Sequence, residues 1–333
     1  TSHFPMNTPP PRPDIIGGTN LPEPETKYDS RFLNEFMIEG VLGWGRYGVV
    51  FKTQNIIDDG MYAVKRIPVK GNDVDLEKSL LEAKMLSKLA RNDGIVSYNT
   101  SWLESPPMGW QRRNDTEIKK KLKTDAEKLY KRAPEDAKFL YIQMGLCNGY
   151  DSGIISLEKW LEKNEGRPMR KMKNWFKQMV EGVKYLHDMK TIHRDLKPSN
   201  ILFDGPGQLK ICDFGLVVDQ VIDDDGREVD KTRSSRGTAM YKAPEMVNTH
   251  CMKGQAKFLS KIDIFALGLI LIEMCVYLTI DDTKDVFNDY RKMMPKDTLK
   301  HHPQAHELVT WMTQRKPENR PTCDEVLVHS LFL

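Results

Sequence analysis

Residues 193–200 read His-Arg-Asp-Leu-Lys-Pro-Ser-Asn, and thirteen residues after Asn200 comes Asp213-Phe214-Gly215. No other feature constrains the chain as strongly. Asp195 can orient a hydroxyl or accept its proton, Lys197 can stabilise a moving anion, and Asn200 and Asp213 are oxygen ligands for a metal. Any three of these residues could belong to an acidic and basic surface turn. The whole octet with its spaced triplet reads as a phosphoryl-transfer site, and the rest of the chain is the context that tests it.

The bulk numbers narrow the class. A length of 333 residues allows about two domains and a large core. With 39% hydrophobic and 29% charged residues, neither a disordered nor a fibrous class is indicated. A net charge of +3 gives no reason to expect nucleic acid bound by this domain. No apolar run is long enough to span a membrane. The five cysteines, Cys147, Cys212, Cys251, Cys275 and Cys323, are scattered and never in Cys-x-x-Cys spacing. That argues against a disulfide framework or structural zinc, and for a reducing, cytoplasmic setting. The start lacks a Met and a signal-peptide pattern, so the chain reads as a piece of something longer.

Residues 1–29 hold seven prolines within the first 24 positions and read as a linker. Order is expected from Ser30. Met37 to Leu42 alternates like a strand and runs into Gly43-Trp44-Gly45-Arg46-Tyr47-Gly48, after which Val49 to Thr53 is again strand-like. A strand, a glycine loop and a second strand make a hairpin lid whose backbone can lie over phosphates, because glycine has no side chain. Asp58-Asp59-Gly60 turns the chain into Met61-Tyr62-Ala63-Val64-Lys65, with Lys65 ending a strand. Val74 to Ala90 has helical spacing, and in it Glu82 is the candidate to pair with Lys65, with Glu77 the alternative five residues earlier.

Two more strands are expected over 95–104 and 139–144. Between them, the insert 105–138 carries ten Lys or Arg and six Asp or Glu from position 112 onward, and reads as a mobile, partly helical loop. The later chain is helical, over 157–161, 169–189 and an apolar run 263–277. Ile201 to Phe203 and Leu209 to Cys212 form a small hairpin. The polar segment 213–245 is too long for a plain connection and is read as functional.

Together these residues resemble the eukaryotic protein kinase family across about 30–333, in order: glycine loop, Lys65, Glu82, catalytic loop, Asp213-Phe214-Gly215, Ala243-Pro244-Glu245, Asp263 and Arg320. The resemblance implies an α+β, bilobal fold, with a small β-rich lobe at 30–145, a hinge at 145–148 and a helical lobe at 149–333. It implies ATP and magnesium as cofactors. ATP would meet Leu42, Gly43, Gly45, Gly48, Val50, Ala63, Lys65, Met144, Gly145, Cys147 and Leu202. Catalytic positions are Asp195, Lys197, Lys65 and Glu82, and metal would be held by Asn200 and Asp213. Lys197 after Asp195 is similar to the serine/threonine members. Asp263 and the Glu245–Arg320 pair carry over as structural supports.

A narrower likeness rests on Tyr98-Asn99-Thr100-Ser101-Trp102-Leu103-Glu104, the charged insert, Leu140 to Met144 with Leu146-Cys147, and the stretches 261–271 and 279–287. These resemble the stress kinases that phosphorylate the α subunit of translation initiation factor two, the closest in motif being the double-stranded-RNA-activated and haem-regulated members. That likeness implies this factor as protein substrate, activating phosphorylation at Thr232 or Thr238, substrate docking by Thr279 and Asp282, and a back-to-back homodimer through Arg31, Glu35 and Tyr62. Glu35 stands where the family has Asp. Met240-Tyr241-Lys242-Ala243-Pro244-Glu245 also departs from the pattern usual in that group. Two rival readings stay open: a serine/threonine kinase with another substrate, and a scaffold without activity.

Overall fold

The computed structural model describes residues 30–45, 48–69, 73–89, 92–107, 109–121, 138–150, 153–214, 218–219, 238–247 and 258–332. The Pro-rich stretch 1–29, the later part of the insert, Cys251 and Thr232 lie outside them.

A short helix α1 (Arg31–Glu35) leads into the strands β1 (Phe36–Gly45), β2 (Gly48–Asn55) and β3 (Met61–Val69). Helix α2 (Asp73–Lys88), strand β4 (Tyr98–Glu104), helix α3 (Trp110–Lys121) and strand β5 (Lys138–Gly145) follow. The five strands form one antiparallel sheet in the order β1-β2-β3-β5-β4. The hairpin lid closes at Gly45 opposite Gly48. Gly48 has φ +128°, and a Cβ there would fall 2.0 Å from the carbonyl oxygen of Arg66, so only glycine fits this approach.

Two expectations about the strands need correction. Lys65 does not end its strand. Pairing with β5 continues past it through Ile67 with Leu140 to Val69 with Lys138, which places Lys65 mid-strand. The strand expected from Ile95 starts only at Tyr98. Ile95 instead forms a parallel bridge with Ile211, and the Val96 amide donates to the Ile211 carbonyl, which ties the sheet region to the helical part. The insert, expected to be partly helical, begins as a 12-residue helix, α3.

The helical part holds α4 (Leu157–Lys163), α5 (Met169–Asp188), β6 (Thr191–Ile192), β7 (Ile201–Phe203), β8 (Leu209–Ile211) and β9 (Val218–Asp219). Then come α6 (Pro244–Val247), α7 (Lys261–Cys275), α8 (Ile280–Arg291), α9 (Pro303–Met312) and α10 (Cys323–Leu327). Helix α5 buries Trp175, Phe176, Met179, Val183 and Leu186 at helical spacing, as its sequence period requires. Helix α7 is apolar on every side and correspondingly buried on every side. It stops at Cys275, and Tyr277, expected inside it, is half exposed. Among the described residues no helix is long and apolar enough to cross a membrane.

Arg320 is fully buried and grips Glu245 through both terminal nitrogens, at 2.6 and 2.8 Å, while donating to the carbonyls of Gln314 and Lys261. Removing one partner of such a pair strands the other charge, at a cost of roughly 3–5 kcal/mol. Arg320→Met is therefore expected to lower unfolding free energy by about that much in urea titration. A loss below about 1 kcal/mol would mean that the pair is dispensable.

Candidate active site

The catalytic-loop octet leaves β6 on a tightly held backbone. Asp263, buried in the first turn of α7, accepts from the amides of His193 and Arg194, both at 2.9 Å, and contacts His187 Nε2 at 3.0 Å. Burial would raise the pKa of Asp263, but these hydrogen bonds and the nearby imidazoles bring it below the usual carboxylate range. Its charge fixes a turn in which Arg194 takes φ +65°, a conformation that non-glycine residues seldom adopt. The Asp195 amide donates to His193 Nδ1 at 3.3 Å, so Nε2 carries the proton and donates to the Cys212 carbonyl at 3.0 Å. That bond joins the octet to the residue before Asp213.

Six polar side chains converge at this junction. Lys197 Nζ lies 2.8 Å from Asp195 Oδ2, and Asn200 Nδ2 donates to the Asp195 carbonyl at 2.8 Å and to Oδ2 at 3.3 Å. Asp195 is 8% exposed, and burial lifts its pKa against the opposing pull of Lys197. From the sheet, Lys65 Nζ reaches Glu82 Oε1 at 2.7 Å and Asp213 Oδ1 at 3.1 Å. Glu82, of the two candidates, thus meets Lys65. Burial would lower the lysine pKa, but the charges of Asp213 and Glu82 hold it above the ordinary range. Lys65 in turn depresses Asp213 against the effect of burial. Phe214 is buried against the His193 ring, 5.2 Å between centroids.

Several residues expected around a nucleotide are neighbours in the sheet. Across the sheet, Gly43 faces Val50, Val50 faces Lys65, and Ala63 faces Met144, so Ala63 and Lys65 share one face. Leu42 and Gly45 flank them in β1, beside Gly48. Met144, Cys147, Leu202 and Cys212 are partly buried against one core. The Gly145 amide is bonded to the Ser97 carbonyl at 3.0 Å, so only its carbonyl could serve a ligand. Burial pushes Cys147 to about 11 and Cys212 well above a normal thiol, so neither is an activated nucleophile.

Other expected sites lie elsewhere. Thr279 and Asp282 form a capping box at the start of α8: the Asp282 amide donates to Thr279 Oγ1 and the Thr279 amide to Asp282 Oδ2. Arg31 bonds Glu35 at 2.9 Å and lies 4.4 Å over the Trp102 ring, while the Tyr62 hydroxyl donates to Asp58 at 2.9 Å. Thr238 opens a short helix, Thr238–Tyr241. Sequence reading missed what holds that helix: the Tyr241 hydroxyl donates to Glu273 at 2.7 Å, and Arg291 donates to the Met240 and Lys242 carbonyls. A lone Glu in the apolar run of α7 was the available signal. Burial lifts Glu273 to about 7. His187 was also missed.

The protein kinase domain family matches residues 36–332. The chain belongs to that family, and its two-part architecture is the bilobal kinase fold. Among curated proteins it is 32% identical to the interferon-induced, double-stranded RNA-activated protein kinase of Rattus norvegicus, over 90% of this chain and 52% of the relative. It is 24% identical to the eukaryotic translation initiation factor 2-alpha kinase pek-1 of Caenorhabditis elegans, over 92% of this chain and 45% of the relative. The identity is 25% with the eIF-2-alpha kinase GCN2 of Schizosaccharomyces pombe, over 90% of this chain and 23% of the relative. The chain thus spans about half the length, or less, of these relatives.

Proposed function

We propose that the chain is a serine/threonine kinase that transfers the γ-phosphoryl group of ATP to a serine of the α subunit of translation initiation factor two. The observation that carries the phosphoryl-transfer reading is the convergence of Lys65, Glu82 and the partly exposed Asp213 in one ion cluster beside the Asp195–Lys197–Asn200 network. Two of the similar proteins are named as kinases of this factor's α subunit, and they support the substrate.

Asp195 orients the acceptor hydroxyl and takes its proton, Lys197 stabilises the transferring group, and Lys65 holds the α- and β-phosphates. The donor set fits magnesium, because Asp213 offers a carboxylate and Asn200 an amide oxygen whose nitrogen is already bonded to Asp195. Asn200 and Asp213 would hold the ion, which when bound supplies positive charge against the phosphates. Every catalytic position is filled by a competent residue, which counts against an inactive scaffold.

The test is transfer from labelled ATP to the purified factor, with its target serine intact or replaced by alanine. Transfer that needs the serine supports the whole reading. Autophosphorylation without transfer to the factor keeps the kinase and removes the substrate.

Asp195 must be ionised to act as base, so kcat/KM falls as pH drops through its raised pKa. Lys197 is the charge that holds that pKa down. In Lys197→Ala, beyond the loss of rate, the acid limb of the pH profile is expected to move to higher pH. An unmoved limb would detach Asp195 from proton transfer.

Docking through α8 extends the reading. Thr279→Ala should remove the cap, costing about 1 kcal/mol, and lower transfer to the factor more than to a short peptide. Thr279→Ser, which keeps the cap, separates helix stability from direct contact. Back-to-back pairing through Arg31, Glu35 and Tyr62, control by Thr232 or Thr238, a cytoplasmic setting and the division at 29/30 and 145–148 belong to the same proposal. Since Arg31 already meets Glu35 within its own chain, pairing would exchange that contact for one across the interface.

A further inference from the structure

The insert helix α3 lies against the sheet strand that carries Lys65, and the joint is Arg66. Lys65 faces the cleft, so its neighbour Arg66 projects from the opposite face of β3. Arg66 is 1% exposed. Its guanidinium lies 5.0 Å from the Phe51 ring centroid, 5.3 Å from Phe139 and 5.7 Å from Trp110, and Nη1 donates to Asn114 Oδ1 at 3.3 Å. Phe51 and Phe139 belong to the sheet, whereas Trp110 and Asn114 belong to α3. Trp110 also meets Phe32 of α1 edge-on at 6.3 Å. The backbone of Arg66 is equally constrained, because Gly48 of the glycine hairpin packs on its carbonyl so closely that no side chain fits. One residue therefore touches the lid hairpin, adjoins the phosphate lysine and anchors the insert.

We propose that Arg66 is a positioning residue that couples the insert to the nucleotide grip: α3 docked on Arg66 restrains the local twist of β3 that holds Lys65 between Glu82 and Asp213, and undocking of α3 loosens nucleotide binding. A buried guanidinium whose contacts include the Trp110 ring and the Asn114 amide oxygen is less well held once α3 withdraws them. When α3 leaves, the Arg66 side chain is free to shift, and β3, which also carries Lys65, loses that restraint on one face. Lys65 shares that strand, and its contacts at 2.7 and 3.1 Å allow little displacement. The coupling is reciprocal, so nucleotide must also steady α3. The inference rests on the reading that Lys65 holds nucleotide phosphates.

Three measurements test it on the 333-residue chain. Affinity for a fluorescent, non-hydrolysable ATP analogue with magnesium is measured by titration. Hydrogen exchange of the α3 amides is measured with and without that analogue, and melting temperature alongside. In the wild type, the analogue is expected to slow α3 exchange by about fivefold or more. In Asn114→Ala and in Trp110→Leu, the analogue's Kd is expected to rise by about five- to tenfold, with the nucleotide effect on α3 exchange lost. Arg66→Lys keeps the charge but not the planar stacking, and should behave alike. Variants that melt earlier yet bind the analogue as the wild type does would reduce Arg66 to a packing role and overturn the coupling. So would a wild type that binds the analogue with no change in α3 exchange. A wild type that binds no nucleotide overturns the kinase reading itself and the coupling with it.

Discussion

Asp195→Asn is expected to lower phosphoryl transfer by roughly 10²–10⁴-fold, the range that a positioned general base supplies. The substitution keeps shape and the main-chain framework. His193 still bonds the residue-195 amide, Asn200 still bonds its carbonyl, and Asp263 still holds the turn. What disappears is the acceptor of the substrate proton and the partner of Lys197. Stability should not fall with activity. A carboxyl whose folded-state pKa is raised stabilises the fold when protonated and weighs against it once ionised, and the neutral amide avoids that term at pH 7. An unchanged or higher melting temperature beside the lost activity is therefore expected. A variant that keeps more than about a tenth of the wild-type rate would rule out Asp195 as the base.

Lys65→Met should have the second largest effect, and on both rate and stability. Loss of a preorganised cation at developing charge costs about 10²–10³ in rate. The same change leaves Glu82 buried without its cation and removes the charge beside Asp213. Breaking such a pair costs roughly 3–5 kcal/mol; the lower end applies here, because the Asp213 side chain is a third exposed and water can replace part of what it loses. The pH dependence carries a further signature. Asp213 has a depressed pKa in the folded state, chiefly through Lys65, so its contribution is present above the ordinary aspartate value and lost as pH falls through the depressed one. In Lys65→Met that acid-side loss should shrink, read from urea titrations at several pH values. Wild-type acid sensitivity in the variant would show that another group holds Asp213.

Much of the site was legible because phosphoryl-transfer chemistry needs particular residue types at short, fixed spacing. The octet 193–200 could be assigned residue by residue, since its members meet within a single loop. Glu82 was the favoured partner for Lys65 with Glu77 left as the alternative, and the contact itself came only with the fold. Reading failed where the partner lay far along the chain. Ile95 looked like strand, but the residue it bridges is Ile211, more than a hundred residues later, bonded through the flanking Gly94 and Val96. Tyr241 and Glu273 gave no signal as a pair, although each was visible singly. The insert looked mobile because its charge suits a solvated loop, and nothing local foretold that Trp110 and Asn114 would find a buried arginine on β3.

The sequence by itself determined the kinase class, the order of the elements and the side chains of the ion cluster, because alternation, helical period and motif spacing are local properties of the chain. The direction of each pKa shift and the joints came only from the three-dimensional arrangement. Asp195 is pushed up and Asp213 down by burial and by neighbours that come from different segments. Arg66 became a joint because the sheet's two faces separate it from Lys65 while the backbone keeps the two adjacent. Burial and electrostatic coupling depend on distances through space, and a linear sequence does not contain those distances.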